Sequence, residues 1–247
     1  MWKGETFYFF NKINNKQNGD SNMNRLERIK SMVTKCRTAA DIGTDHGYVA
    51  EMLLNENTCE RVIATDLNKG PLDRAIKHLT SVNLYDKCDF RLGSGLTVLK
   101  ENEADAIIIA GMGGELIADI IEASRNIALQ ASQLILQPMT MGDKLRQYLA
   151  ENGFEIIDEN IVKEMHHYYF VIKAVPGKYE VTDEIFYEIS KIVLEKKDPL
   201  MVEYLNKILR VNENIMVSIE KNSGRDYNEK AEALRTKNKK IRELMKN

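Results

Sequence analysis

Residues 37–47 read Arg-Thr-Ala-Ala-Asp-Ile-Gly-Thr-Asp-His-Gly, and this stretch decides the fold. A short apolar run ends at Asp41-Ile42, and two glycines follow before a helix-like segment begins. Because Gly43 and Gly47 have no Cβ, a turn built on them lets bare backbone approach a ligand closely. The stretch therefore predicts the first strand, turn and helix of an α/β nucleotide-binding fold.

The same alternation of strand and helix continues along the chain. Strands are predicted at residues 38–42, 61–66, 88–92, 105–110 and 132–137, and helices at 47–56, 70–82, 95–102, 114–124 and 140–152. Continuous apolar runs such as Ile107-Ile108-Ile109 are typical of parallel strands that helices cover on both faces. Two alternating runs, 155–163 and 168–175, predict an antiparallel pair that completes the sheet.

Two carboxylates in the first turn distinguish between cofactors. A dinucleotide site needs the pattern G-x-G-x-x-G, because a pyrophosphate lies across the helix start. Here Asp41 and Asp45 stand where that dianion would bind, and they favour the ammonium and sulfonium cations of S-adenosylmethionine (SAM) instead. Asp66 ends the second predicted strand, where a carboxylate accepts hydrogen bonds from ribose hydroxyls. The simpler alternative is a set of ordinary turns, with Asp45 capping a helix.

The chain is predicted to consist of three parts. Residues 1–22 form an N-terminal extension, predicted to be disordered because its second half is a polar run. Residues 23–176 form the SAM-binding domain, an α/β fold with the Rossmann-like sheet of SAM-dependent methyltransferases. Residues 177–247 form a helical domain, beginning with a helix over about 182–197. Apolar spacings of three and four then predict an antiparallel coiled-coil hairpin, with Asn238 on its seam.

Composition limits the remaining classes of protein. Apolar residues make up 43% of the 247, as in ordinary globular proteins, and no apolar run is long enough to span a membrane. Three cysteines without a C-x-x-C pair predict reduced thiols in a cytoplasmic protein, and no metal site. Residues 199–247 carry 11 Lys and Arg against 7 Asp and Glu, whereas the whole chain has a net charge of −2. This basic tail indicates either nucleic-acid binding or a solvated charged helix.

From about Met23 onward the chain resembles the bacterial tRNA adenine-N1-methyltransferases that modify position 22. The resemblance rests on four segments: Asp-Ile-Gly-Thr-Asp-His-Gly-Tyr (41–48), Arg-Leu-Gly-Ser-Gly-Leu (91–96), Ala-Asp-Ala-Ile-Ile-Ile-Ala-Gly-Met-Gly-Gly (104–114) and Leu-Ile-Leu-Gln-Pro (134–138). It implies a SAM-dependent enzyme that methylates N1 of adenine 22 in tRNA. The family usually has an acidic residue where this chain has Ser94, and a hydroxyl accepts a hydrogen bond more weakly than a carboxylate.

The resemblance and the turn positions together assign candidate roles. Asp45 is the expected electrostatic or proton-accepting group, and His46 is its orienting partner. The expected cofactor-binding residues are Asp41, Gly43, Thr44, Gly47, Asp66, Leu67, Gly93, Ser94, Gly95, Ala110 and Gly111. The expected substrate-binding residues are Tyr48, Met112, Gly113 and Gly114. The alternatives are a structural imidazole for His46 and packing on the sheet for Tyr48.

Two other functions remain open from the sequence. A SAM domain of this kind also serves methyltransferases that act on another RNA base, on DNA or on protein. A degenerate SAM fold that only binds RNA or a partner is a third reading, although the intact Asp41, Gly43, Asp45 and Asp66 argue against it. The expected partner is tRNA, and the expected oligomeric state is a monomer.

Overall fold

The structure is a computed structural model that describes residues 23–178, 180–220 and 225–246. The chain divides into two compact units, a first that ends at Ile189 and a second that begins at Ser190. The N-terminal extension over residues 1–22, predicted to be disordered, lies outside the described residues. The domain boundary placed after residue 176 stays a prediction.

A seven-stranded sheet forms the centre of the first unit. Its strands are β1 (Thr38–Ile42), β2 (Arg61–Asp66), β3 (Cys88–Leu92), β4 (Ala106–Gly113), β5 (Gln133–Thr140), β6 (Phe154–Glu164) and β7 (His167–Pro176). They lie in the order β3-β2-β1-β4-β5-β7-β6. The first five are parallel, and β7 is antiparallel to both of its neighbours. The predicted Rossmann-like sheet and its final antiparallel pair are confirmed.

Helices cover both faces of the sheet, because its central strands are buried and largely apolar. Every residue of β1 is buried, and Ile107, Ile108 and Ile109 of β4 are fully buried. The helices of this unit are α1 (Arg25–Met32), α2 (Tyr48–Asn55), α3 (Lys69–Ser81), α4 (Gly114–Glu122), α5 (Arg125–Gln130), α6 (Gly142–Glu151) and α7 (Ile185–Glu188). A capping box begins α1: the Asn24 side chain accepts from the Glu27 amide at 3.0 Å, and the Glu27 carboxylate accepts from the Asn24 amide at 2.9 Å.

Two predicted helices were wrong. In place of a helix over 95–102, the chain makes a short 3-10 turn at Gly95–Val98. Beyond it, the amide of Lys100 donates to the Glu103 carboxylate at 2.8 Å, and that of Asn102 donates to the Gln130 side chain at 2.9 Å. These amides therefore have side-chain partners in place of the carbonyl groups that a continuing helix would provide.

The helix predicted over 182–197 is interrupted at Ile189. Arg146, a buried residue of α6, donates from Nη1 to the carbonyl oxygen of Tyr187 at 2.9 Å. In an unbroken helix that carbonyl would accept from the amide four residues later. The backbone is extended at Ile189 and Ser190, and the Ser190 side chain then caps a new helix by accepting from Val193 at 3.1 Å.

The second unit consists of helices α8 (Lys191–Glu195), α9 (Pro199–Glu220) and α10 (Arg225–Leu244). Asn238, predicted on the seam of a hairpin, is buried, and its Oδ1 accepts from Asn212 Nδ2 at 2.7 Å. Arg242 of α10 also pairs with Glu213 of α9 at 2.7 Å. The two helices therefore lie against each other, whereas coiled-coil packing stays a prediction. Of the turn predicted at 222–226, residues 222–224 lie outside the described part of the chain.

Candidate functional site

The candidate site lies at the edge of the sheet where the parallel strands end. β1, β2, β3 and β4 run in the same direction, so the turns that follow them meet at one rim. A hydrogen bond from the Gly93 amide to the Asp66 carbonyl oxygen, at 2.9 Å, joins the turns after β2 and β3. Ligands of open α/β sheets bind outside the carboxyl ends of the strands. The topology therefore brings the four sequence signals together.

The first turn is held in place by backbone hydrogen bonds to β2. The amides of Gly43 and Thr44 both donate to the carbonyl oxygen of Thr65, at 2.8 and 2.9 Å, so they are not the bare donors that the sequence suggested. Gly43 has φ +75°, and a Cβ there would lie 2.3 Å from Cε of Met112. The positive φ therefore favours glycine here, and a side chain at this position would displace the flexible end of Met112, which lies directly over the turn from the end of β4.

Asp41 is a buried acid at the end of β1. Its carboxylate accepts a hydrogen bond from the Thr44 hydroxyl at 2.7 Å. Burial raises the pKa of Asp41 to about 6, with a further rise from the nearby Asp66 charge, and the Thr44 hydrogen bond offsets only part of this. A buried carboxylate whose charge is costly to maintain favours a cationic ligand beside it. This observation on the protein's own residues fits the ammonium group of SAM.

Asp45 lies further out on the same turn and does not cap α2. The N-cap of α2 is Gly47, and no side chain caps the helix there. The Asp45 carboxylate instead forms an ion pair with Arg74 of α3, and its second oxygen lies 3.7 Å from His46 Nε2. Its backbone has φ 45°, in the left-handed region that non-glycine residues rarely occupy. The turn therefore presents this carboxylate at the rim between two basic side chains.

Aromatic rings continue the site outward from Asp45. His46 stacks on Tyr48, with ring centroids 5.3 Å apart and planes 9° apart, and Tyr48 meets the edge of His78 at 5.0 Å. His78 Nε2 in turn lies 2.8 Å from a carboxylate oxygen of Glu51. Tyr48 is half-buried between two imidazoles, so both predicted aromatic residues belong to one cluster beside the rim.

The turns after β2 and β3 place the remaining cofactor candidates. Asp66 is buried, and its Oδ1 accepts from the Asn68 amide at 2.7 Å. Leu67 is largely exposed beside it. Ser94 is exposed on the next turn, and its carbonyl oxygen accepts from the amide and the hydroxyl of Thr97. The turn therefore presents the Ser94 side chain to solvent, at the position where the family usually has an acid.

The fourth sequence signal lies at the end of β4, where the backbone is irregular; we call residues 111–113 the fourth turn. The pairing of β4 with β5 shifts register between Ala110 and Met112 and again between Met112 and Gly113. Gly111 has φ +78°, and its amide donates to Oε1 of the fully buried Gln137 at 3.1 Å. Arg25 of α1 donates to the same oxygen from Nη1 at 2.6 Å. A side-chain amide thus holds the bulge that carries Met112.

Sequence reasoning missed three residues of the site, namely Arg25, Arg74 and Gln137. Gln137 lies in one of the segments quoted for the family resemblance, but no role was predicted for it. A polar residue in an otherwise apolar strand could have indicated a buried hydrogen-bonding role. Arg74 and Arg25 gave no such signal. They contact partners 29 and 112 residues away in the chain, and only the fold brings those partners together. The roles assigned to the predicted residues stay predictions.

Metal ligands, membrane-spanning helices and reactive thiols are three further features that would indicate other functions. No group of three or more His, Cys, Asp or Glu in this part of the chain could hold a metal ion. None of the described helices is long and apolar enough to cross a membrane. Cys36, Cys59 and Cys88 are free thiols, and burial raises the pKa of Cys36 and Cys88 to about 11 and that of Cys59 to about 12. Such thiols are weak nucleophiles near neutral pH.

Comparison with known proteins agrees with this geometry. Residues 22–172 match the family described as "Methyltransferase domain". The tRNA (adenine(22)-N(1))-methyltransferase of Bacillus subtilis is 35% identical over 153 residues, which span 62% of this chain and 64% of that relative, so the match covers less than two thirds of its length.

Solved structures match over more of the chain. The crystal structure of the B. subtilis m1A22 tRNA methyltransferase TrmK has a TM-score of 0.81 at 27% identity, and the match covers 89% of this chain and 97% of that one. The Streptococcus pneumoniae protein Sp1610, crystallised with S-adenosyl-L-methionine, has a TM-score of 0.77 at 28% identity, with the same coverage of 89% and 97%.

The chain belongs to the methyltransferase-domain family. The resemblance to the bacterial tRNA (adenine-22-N1)-methyltransferases, predicted from the sequence, is confirmed.

Proposed function

We propose that this protein transfers a methyl group from SAM to N1 of adenine 22 in tRNA. The observation that carries the proposal is the buried acid Asp41, whose negative charge a bound cation would stabilise. Asp45 and His46 lie next to it at the rim. The similarity to the B. subtilis tRNA (adenine(22)-N(1))-methyltransferase supports the choice of acceptor.

SAM supplies an activated methyl group on a sulfonium cation. Asp41 would balance the ammonium group of its methionine part, with Thr44 orienting the carboxylate. Asp66 would accept hydrogen bonds from the ribose hydroxyls, and Ser94 would accept one from the adenine amine. These residues already lie on adjacent turns of one rim, so they would bind the cofactor without rearrangement of the sheet.

Asp45 and His46 would serve the acceptor base. Alkylation of adenine N1 makes the ring cationic, so a carboxylate nearby stabilises the charge that develops or accepts a proton from the exocyclic amine. Arg74 and His46 hold the Asp45 carboxylate at the rim from two sides. Asp45 would thus be the catalytic residue, and Arg74 would be a positioning residue for it.

The target base would enter between the first and fourth turns. An adenine inside a duplex must leave its stack before N1 can react, at a cost of a few kcal/mol. Met112, Gly113 and Gly114 would contact the extruded base, because Met112 lies over Gly43 where the two turns meet. Tyr48 would contribute an aromatic surface beside it. A cytoplasmic location and a monomeric state stay predictions.

The test is to incubate the full chain with labelled SAM and unmodified tRNA, digest the RNA to nucleosides and identify the methylated base. We expect N1-methyladenosine, and no label in a matched tRNA in which adenine 22 is replaced by guanine. A different methylated product would assign another acceptor. Absence of both methylation and SAM binding would make the protein a non-catalytic SAM fold.

A further inference from the structure

The hairpin between β6 and β7 extends the rim beyond the turns already described. β7 is antiparallel to both β5 and β6, so β6 ends at the same edge as the parallel strands. The tip of this hairpin, residues 163–169, therefore lies at the rim where the candidate site is. It carries Lys163, two histidines and two tyrosines, and Met165, His166 and His167 are exposed.

A series of contacts connects this tip to the bulge at the end of β4. Gln137 Oε1 accepts from the Gly111 amide at 3.1 Å and from Arg25 Nη1 at 2.6 Å. The guanidinium carbon of Arg25 lies 5.6 Å from the centroid of the Tyr169 ring, and that ring is stacked 6.2 Å from His167. We call Arg25, Tyr169 and His167 the rim strip. It leads from the bulge that holds Met112 to the exposed tip.

The rim strip differs in charge from the turns beside it. Asp41, Asp45 and Asp66 make those turns acidic, which suits a cationic cofactor but repels a polyanion. The strip offers a guanidinium group and two aromatic rings. The Glu164 carboxylate lies beside it, where it accepts from the Arg25 amide at 2.7 Å and lies 3.9 Å from Arg25 Nε. The strip is therefore less acidic than the turns beside it, and a polyanion would meet less repulsion there.

We propose that the rim strip binds nucleotides of the RNA acceptor that flank the target base. The inference rests on the proposed function, because it takes tRNA as the acceptor. Aromatic rings stack on unpaired bases, and arginine guanidinium groups contact phosphates and stack on bases as well. A flipped-out base leaves its neighbours partly unstacked, and the strip provides surfaces for them next to the place where that base enters.

The test compares three variants of the full chain for binding of unmodified tRNA, for SAM binding and for the thermal midpoint. Tyr169→Leu removes the stacking ring, and His167→Ala removes the exposed ring at the tip. We expect each to weaken tRNA binding and raise the KM for tRNA by about five- to tenfold, since one base stacked on an aromatic ring contributes about that much. SAM binding should stay as in the wild type.

Tyr168→Leu is the matched control. Tyr168 neighbours Tyr169 on β7 and is also half-buried, but it points to the opposite face of the sheet, where its ring faces Lys163 at 5.4 Å. We expect it to leave tRNA binding unchanged. If Tyr169→Leu lowers the thermal midpoint, His167→Ala alone decides, because its side chain is exposed.

Two results would overturn the assignment. If the wild-type chain methylates tRNA but His167→Ala binds tRNA normally, the proposal that the rim strip binds RNA is wrong and the proposed function is unaffected. If the wild-type chain binds SAM but transfers no methyl group to tRNA, both the proposed function and the proposed role of the rim strip are wrong.

Discussion

At the scale of single residues, Asp41 has the best defined electrostatic consequence. Its pKa is raised from 3.8 to about 6, mainly by burial, so the folded protein holds this proton at pH values where the unfolded chain releases it. The stability that this proton contributes is complete below about pH 4 and is lost as the pH rises through about 6. Near neutral pH the folded protein therefore carries an unfavourable charge that a bound cation would relieve.

The substitution Asp41→Asn should stabilise the protein and impair cofactor binding together. Without the buried charge, we expect the free energy of unfolding at pH 7 to rise by about 1–2 kcal/mol. We expect the Kd for SAM to rise at least about tenfold, since the ammonium group loses its counter-charge. Urea unfolding and calorimetric titration would measure the two effects.

The pH dependence of SAM binding provides the control for this substitution. In the wild type, the Kd should rise by about tenfold for each pH unit below 6, because Asp41 must lose its proton when the cation binds. In Asp41→Asn this dependence should disappear. Equal SAM affinity for the two proteins at pH 8 would contradict the role of Asp41.

Asp45→Ala should separate binding from chemistry. Asp45 lies at the rim outside the buried part of the cofactor site, so the Kd for SAM should change by no more than a few-fold. Loss of the group that stabilises the cationic adenine should lower kcat by about 100-fold or more. Single-turnover methylation of tRNA at saturating SAM measures this directly. A variant with normal turnover would show that Asp45 only holds Arg74.

At the scale of elements, the junction between β4 and α4 sets how closely the fourth turn packs. A Cβ on Gly114 would lie 2.0 Å from the carbonyl oxygen of Met141, whereas one on Gly113 would meet only the Thr140 hydroxyl, at 3.5 Å. The two adjacent glycines therefore differ in whether their surroundings leave space for a side chain. Gly114 is required by backbone packing, and Gly113 has room for a side chain.

Gly114→Ala should destabilise the protein by about 1–3 kcal/mol, because the backbone of the Met141 segment has to move. Gly113→Ala is its matched control and should change stability by less than about 0.5 kcal/mol, since φ there is −66°. Denaturant unfolding of both variants tests the difference. Equal free energies of unfolding for the two variants would mean that the backbone near Met141 can move without destabilising the protein.

The elements also show where sequence patterns succeed. The five parallel strands were predicted to within a few residues because apolar runs are a property of the strand itself. The predictions of helices over 95–102 and 182–197 were wrong because side chains distant in the sequence hydrogen-bond to backbone groups there. Gln130 accepts from the Asn102 amide in the first case, and Arg146 donates to the Tyr187 carbonyl oxygen in the second. A pattern within a short window contains no information about those partners.

At the scale of the whole molecule, charge is distributed unevenly along the chain. Residues 199–247 have a net charge of +4, whereas the chain as a whole has −2. Three lysines of α10 contribute to this basic part, namely Lys237, Lys239 and Lys240. This basic part indicates either nucleic-acid binding or a solvated charged helix, and binding to tRNA phosphates would make its contribution depend strongly on salt.

Replacing these three lysines with alanine should weaken tRNA binding and make it less sensitive to salt. Each lost phosphate contact lowers the slope of log K against log salt by about 0.7 to 0.9, so the triple variant should lose up to about 2–3 in slope. SAM binding should be unchanged. Filter binding at several salt concentrations measures the slope, and an unchanged slope would make the tail a structural or dimerising element.

The sequence by itself determined the order of the strands, most of the helices between them, the acidic and glycine-containing turns, and the family. These are local properties: an apolar run, a residue without a Cβ, or a carboxylate at a strand end acts within a few residues. Only the tertiary structure decided that Asp41 is a buried acid with a raised pKa, that Arg74 holds Asp45, and that Gln137 joins Arg25 to Gly111. Burial and pairing of this kind depend on groups that are distant in the chain and adjacent only after the sheet has formed.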